Sequence, residues 1–286
     1  GFPIGRPPVR QVPGDHSTGE VGSRRSQTYF PKAISMLAII GGSGLTKLST
    51  LAIARREVVR TPYGEPSSAL VFGQVAGRDA VFLARHGHGH TIPPHRVNYR
   101  ANLRALKDAG ATAVVAVASV GGIRRHVPGE LVLPDQLIDY TCGRAQTYFD
   151  GGGLPVVHVD FTHPYTPELR AACLDAASEA GIALTDGGVY GAVNGPRLET
   201  AAEIGRLDRD GVTMVGMTGM PEAALARELE LPYVAICVVV NHAAGRGDST
   251  LAISMEALVQ TLESGMEKVR ALLELVAPRL GPKPQP

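Results

Sequence analysis

The sequence predicts an α/β protein, a single domain with a mixed central β-sheet flanked by helices. Three observations carry that expectation. Apolar, β-branched runs, such as residues 113–120 and 233–240, alternate along the chain with segments whose apolar residues recur at helical spacing. Some of those runs are almost continuously apolar, as strands covered on both faces are. Glycine-rich loops follow several runs directly, where sheets of this class hand over to helices.

Taken in order, residues 37–40 read as a buried strand running into Gly41-Gly42-Ser43-Gly44. Residues 56–60, 69–75 and 80–84 read as three strands joined by turn-rich sequences, which predicts an antiparallel meander. Residues 94–109 read as a helix on the spacing of Tyr99, Leu103 and Leu106, with Gly110 as its stop. Thr166-Pro167 opens the next helix as N-cap and first-turn proline, and Gly181 ends it. Strands over 188–192, 212–216 and 233–240 then alternate with helices over 198–207 and 221–229. A long helix capped by Ser254 closes the domain through Leu258, Leu262, Val269, Leu273 and Val276. Residues 1–35 are rich in Pro, Gly, Arg and Ser and lack an apolar period. They read as a disordered extension, expression-derived or upstream, with a transit peptide as the alternative. The domain is therefore expected over 36–280, with a Pro-rich tail over 281–286.

Composition narrows the function classes. Hydrophobic residues are 44% and charged residues 19% of the 286, a globular balance. Lys+Arg 28 against Asp+Glu 27 leaves a charge of +1, so no basic field points to a nucleic-acid polymer as partner. No apolar run approaches the roughly 20 residues that span a bilayer, so no membrane partner is expected. Cys142, Cys173 and Cys237 form an odd, widely spaced set, which reads as a reduced, cytoplasmic protein.

The chemistry collects at strand ends. Gly41-Gly42-Ser43-Gly44 could cradle an anion or simply make a tight turn; it has neither the Lys of a phosphate loop nor the dinucleotide spacing. Arg85-His86-Gly87-His88-Gly89-His90 follows a buried run. His86, His88 and His90 at alternate positions could face a zinc ion. Against that stand the fixed charge of Arg85, two loosening glycines and the lack of a neighbouring carboxylate or thiolate. Arg85 and His86 fit a phosphate clamp better, a guanidinium and an imidazolium both donating to oxygen. On that reading Arg85 serves binding rather than packing. Ala118-Ser119-Val120-Gly121-Gly122 and Gly216-Met217-Thr218-Gly219 are two further loops of the same kind, each also readable as a plain turn. Four such loops with an arginine among them point to one anion site.

Longer blocks make the reading specific. From Met36 onward the chain resembles the trimeric purine nucleoside phosphorylase and methylthioadenosine phosphorylase family. The carriers are Ile39-Ile40-Gly41-Gly42-Ser43-Gly44, Leu83-Ala84-Arg85-His86-Gly87, and His90-Thr91-Ile92-Pro93 with Val97-Asn98-Tyr99-Arg100-Ala101-Asn102. Gly195-Pro196-Arg197-Leu198-Glu199-Thr200 and Gly216-Met217-Thr218-Gly219-Met220-Pro221-Glu222 add to them. Within the family the pattern is most similar to the bacterial branch acting on 5′-methylthioinosine.

The resemblance implies a phosphate site at Ser43, Arg85, His86, Ala118, Ser119 and Thr218. It places Met217 under the ribose and Leu198 where an aromatic residue often covers the base. Asn241 falls at the base-reading position, followed by Ala243, where methylthioadenosine enzymes carry two aspartates. An amide can donate to purine N7 or O6, whereas a carboxylate only accepts, so a 6-oxopurine is expected. Met255, Leu258 and Val259 align with the 5′ pocket, and their apolar character suits a methylthio group; His90 borders it. Asn241, His86 and Thr218 carry the catalytic expectation, as N7 donor and as partners of the attacking phosphate. Inorganic phosphate is then a co-substrate, no metal or organic cofactor is implied, and the small-molecule partner is a purine nucleoside. A homotrimer is expected from the resemblance. The rival enzyme readings are an inosine/guanosine phosphorylase and a methylthioadenosine phosphorylase; the non-enzyme rival is a silent purine-binding protein.

Overall fold

The computed structural model describes residues 36–45, 48–151, 153 and 156–280. The expected N-terminal extension and C-terminal tail lie outside the described residues. Eleven strands among the described residues form one sheet, ordered β2-β3-β4-β1-β5-β10-β9-β7 along its main path. These are β1 (Leu37–Gly41), β2 (Ala52–Glu57), β3 (Leu70–Val75), β4 (Arg78–Ala84), β5 (Ala113–Gly122), β7 (Gln136–Asp139), β9 (Val189–Ala192) and β10 (Met214–Gly216). A branch leaves β5 through β11 (Tyr233–His242) to β6 (Leu131–Leu133) and β8 (Leu184–Asp186). The sheet is mixed: β1 runs parallel to β4 and β5, and β11 parallel to β5, whereas β2, β3 and β4 are antiparallel.

Strand alternation divides the core in two. Ala38, Ile40, Leu83, Val114 and Ala116 face one side, covered by helices α1 (Tyr99–Asp108) and α4 (Gly219–Glu228). Leu37, Ile39, Phe82, Val115 and Val117 face the other, covered by α2 (Pro167–Glu179) and α5 (Met255–Arg279). The two-residue period of a strand thus gives each layer its own apolar set. A smaller cluster joins Ile204 and Leu207 of α3 (Ala201–Arg209) to Val212, Val215 and Ala243.

Element ends moved where side chains capture the backbone. The first helix begins at Tyr99 rather than 94, because the Asn98 side chain accepts from the Ala101 N–H and residues Pro94–Arg96 form a separate 3-10 turn. Helix α3 begins at Ala201 rather than 198: Thr200 and Glu203 close a reciprocal capping box, with Thr200 N–H donating to Glu203 at 2.7 Å. That shift leaves Leu198 and Glu199 in a loop, free to line a cavity. The first meander strand lies at Ala52–Glu57, earlier than the expected 56–60, paired with β3 through a bulge. Strands β6, β7 and β8 were not expected; three or four residues carry too short a period to read. Among the described residues no helix is long and apolar enough to cross a membrane.

Candidate active site

A cavity of about 750 Å³ opens at the carboxyl ends of β1, β4, β5, β10 and β11, where parallel sheets place their ligands. Every site residue expected from the sequence lines it: Ser43, Arg85, His86, His90, Ala118, Ser119, Leu198, Met217, Thr218, Asn241, Ala243, Met255, Leu258 and Val259. Thr91, Ile92, Pro94, Glu199 and Leu262 line it as well, though the sequence assigned them no site role. Among the described residues no group of three or more His, Cys, Asp or Glu side chains could hold a metal ion.

Arg85 is not the free strand-end charge that the sequence suggested. It is 1% exposed and forms a fork with Glu222, which is fully buried: Nε donates to Oε2 at 2.6 Å and Nη2 to Oε1 at 2.7 Å. Nη1 donates to the Val117 carbonyl at 2.9 Å, and the Tyr233 hydroxyl donates to Glu222 Oε1 at 2.9 Å. The expectation that Arg85 serves binding rather than packing is therefore corrected. A guanidinium has five N–H groups, and three are committed to the core here, leaving two for a ligand. Gly42 lets this assembly close, since a Cβ there would stand 2.5 Å from the Val117 oxygen and 2.9 Å from Arg85 Nη1.

His86 also departs from the expected imidazolium. Burial first, then the adjacent Arg85 charge, push its ring down to about 4, against the opposing pull of the Ile92 carbonyl. The ring is neutral at pH 7, with Nδ1–H donating to the Ile92 carbonyl at 2.8 Å, so Nε2 holds a lone pair. His90 packs beside it, ring centres 4.6 Å apart, in a left-handed conformation at φ 52°.

The remaining lining divides by chemistry. Thr218, 7% exposed, stands before α4, whose regular turns begin at Pro221 because Met220 is extended at φ −118° and ψ 141°. Met217 packs against Gly195, where a Cβ would meet its sulfur at 2.3 Å. Asn241 follows a bulge in β11, and its Nδ2 donates to the His242 carbonyl at 2.6 Å, leaving its second amide hydrogen. Glu199 lies half-buried; burial and nearby Glu203 raise its carboxyl, while Arg197 pulls the other way. Met255 and Val259 on the first turns of α5 are exposed towards the mouth, with Leu258 half-buried beside them.

The arrangement has relatives. A family model described as phosphorylase superfamily matches residues 36–277. The chain belongs to the phosphorylase superfamily. Within it, a Pseudomonas syringae protein named probable S-methyl-5′-thioinosine phosphorylase is 52% identical over 244 residues, covering 85% of this chain and 98% of the relative. A Thermococcus kodakarensis protein named probable 6-oxopurine nucleoside phosphorylase is 47% identical over 215 residues, covering 73% and 80%. Methylthioadenosine phosphorylase from Schistosoma mansoni, solved with adenine, superposes with a TM-score of 0.81 at 30% identity, over 85% of this chain and 91% of that one. The phosphorylase fold expected from the sequence is thus the fold observed.

Glu199, Glu222 and Tyr190 are the residues that sequence reasoning missed. The available signals were a carboxylate directly before a helix cap, Glu199, and one in the first turn of α4 amid apolar neighbours, Glu222; Tyr190 carried none.

Proposed function

We propose that this phosphorylase cleaves S-methyl-5′-thioinosine with inorganic phosphate, giving hypoxanthine and 5-methylthioribose 1-phosphate. One observation carries the reading: a single cavity joins a donor-bearing set, Ser43, Arg85, His86 and Thr218, to an apolar wall of Met255, Leu258 and Val259. An apolar wall suits a methylthio group and leaves a hydroxyl without a partner. The name of the Pseudomonas syringae relative agrees with it.

Phosphate is seated by the Ser43 and Thr218 hydroxyls, the backbone at Ala118 and Ser119, and the two uncommitted Arg85 hydrogens. A phosphate that retains a hydrogen donates it to His86 Nε2. Phosphate is itself the nucleophile, so no enzyme nucleophile, metal or organic cofactor is required. The glycosidic bond breaks towards an oxocarbenium-like sugar whose positive charge faces the phosphate anion. Met217 lies beneath that sugar, Leu198 contacts the base, and His90 borders the 5′ pocket. The free Asn241 amide hydrogen donates to N7 or O6 as the purine leaves with negative charge, a donor role worth about 3 kcal/mol. Glu199 can accept from N1–H, which a 6-oxopurine has and a 6-aminopurine lacks, and Ala243 gives a 6-amino group no acceptor.

Assembly as a homotrimer is part of the same proposal, supported by the exposed apolar run Val156, Val157 and Val159; light scattering of the purified protein tests it. A cytoplasmic location is proposed too, supported by three free cysteines.

The deciding experiment is product analysis with methylthioinosine, inosine and methylthioadenosine, each with and without phosphate. We expect 5-methylthioribose 1-phosphate in phosphate only, with methylthioinosine cleaved fastest. Free methylthioribose formed equally fast without phosphate would make the protein a hydrolase. No cleavage of any of the three would make it a purine-binding protein.

A further inference from the structure

The loop that presents Met217 and Thr218 to the cavity is held from behind by a side chain that does not itself line the cavity. Tyr190 of β9 is fully buried. Its hydroxyl oxygen accepts from the Thr218 N–H at 3.2 Å and the Gly219 N–H at 3.4 Å. The ring fills the space left by two glycines. A Cβ on Gly216 would stand 2.1 Å from the Tyr190 oxygen, and one on Gly219 would stand 2.8 Å from the ring edge. The two residues between these glycines, Met217 and Thr218, both line the cavity, as Gly216 itself does. Gly216 and Gly219 therefore make room for a plug, and the plug fixes what stands between them.

We propose that Tyr190 is a positioning residue for phosphate: by taking the Thr218 and Gly219 N–H groups it sets the Thr218 hydroxyl against the anion. The inference rests on the phosphorolytic reading above. It also assigns the two backbone donors. A loop leading into a helix can offer its N–H groups to an anion, but here both are bonded to a phenol that does not line the cavity. Burial pushes that phenol up to about 12, so it stays neutral at working pH and serves as a fixed acceptor. The Thr218 hydroxyl, which also bonds the Tyr190 hydroxyl, is then the Thr218 group left for phosphate.

Tyr190→Phe removes one oxygen and keeps the plug. The matched control is Tyr165→Phe, since Tyr165 is 1% exposed and its hydroxyl has no partner among the described residues. In steady-state assays, Tyr190→Phe should raise the phosphate KM about tenfold and the nucleoside KM less than about threefold, and Tyr165→Phe should leave both unchanged. An unchanged phosphate KM in Tyr190→Phe, an equal rise in both constants, or the same rise in Tyr165→Phe overturns the proposal. Amide hydrogen exchange on the unaltered protein supplies a test that does not depend on folding of the variant. The Thr218 and Gly219 amides should be protected before phosphate is added and no more protected at saturating phosphate. Protection that appears only with phosphate would show that these N–H groups bind the anion and would also overturn it. Wild-type cleavage independent of phosphate would instead sink the phosphorolytic reading itself, so the two failures are separable.

Discussion

Arg85→Ala is expected to damage the fold as well as the chemistry. The change strips the fully buried Glu222 of its two shortest hydrogen bonds, at 2.6 and 2.7 Å, and among the described residues leaves it the Tyr233 hydroxyl. It also leaves the Val117 carbonyl without the Arg85 donor. Breaking a buried pair by removing one partner costs about 3–5 kcal/mol, most of it from the stranded charge. For a domain of this size each kcal/mol moves the melting temperature by about 2–4 °C, so a fall of roughly 6–20 °C follows. Arg85→Ala with Glu222→Gln should regain part of that loss, because a neutral amide is cheaper to bury than a lone carboxylate. Thermal and urea unfolding in phosphate-free buffer measure both, and with the Glu222→Gln single variant they complete a double-mutant cycle. An Arg85→Ala protein melting within about 2 °C of wild type would refute the reasoning and restore Arg85 to a pure binding role.

Three further outcomes follow. The His86 ring lies at about 4 in the fold against an ordinary 6.5, so between those values the unfolded chain binds more protons. Stability from this group is then whole above pH 6.5 and is lost as pH falls towards 4, by up to about 3 kcal/mol; parallel pH–stability curves for wild type and His86→Gln would refute it. Asn241→Asp with Ala243→Asp should shift preference from methylthioinosine towards methylthioadenosine, each single change doing less. Because Ala243 is 1% exposed in an apolar cluster, the pair should also melt lower, and unchanged specificity would remove Asn241 as base reader. Met255→His should raise kcat/KM for inosine relative to methylthioinosine by giving the 5′-hydroxyl a partner, and an unchanged ratio would place the 5′ pocket elsewhere.

What the sequence disclosed, and what it hid, divides along one physical line. Long apolar runs such as β5 and β11, and the loops at their ends, announce themselves locally, and the residues on those loops do meet in one cavity. Helix starts at Tyr99 and Ala201 were displaced because the deciding bonds, from Asn98 and Thr200, are side chain to backbone and leave the apolar period untouched. Glu222 lies 137 residues from Arg85 and the Tyr190 hydroxyl 28 from Thr218. Nothing within a local window marks either partnership. Arg85 therefore read as a strand-end phosphate ligand and Tyr190 as an ordinary strand residue. Glu222 sat inside a recognisable block with nothing to show what it holds, and Tyr190 lay outside every such block.

The pairing of β5 with β11 makes the sheet a gauge. Ala118 stands opposite Cys237, and Gly121 opposite Asn241, with the bulge between Val239 and Asn241 taking up one extra residue. The proposed anion end at Ala118 and the proposed base end at Asn241 are thus separated by three steps along β5, about 10 Å, a distance set by backbone hydrogen bonds rather than by any side chain. Side-chain replacement can change what each end accepts while leaving that span alone. Removing Val240 would abolish the bulge and turn Asn241 to the opposite face, detaching the base end while the Ser119 end stays where β5 puts it. On the proposed reading, selectivity for the length of a ligand resides in the strand register, and selectivity for its atoms in the loops.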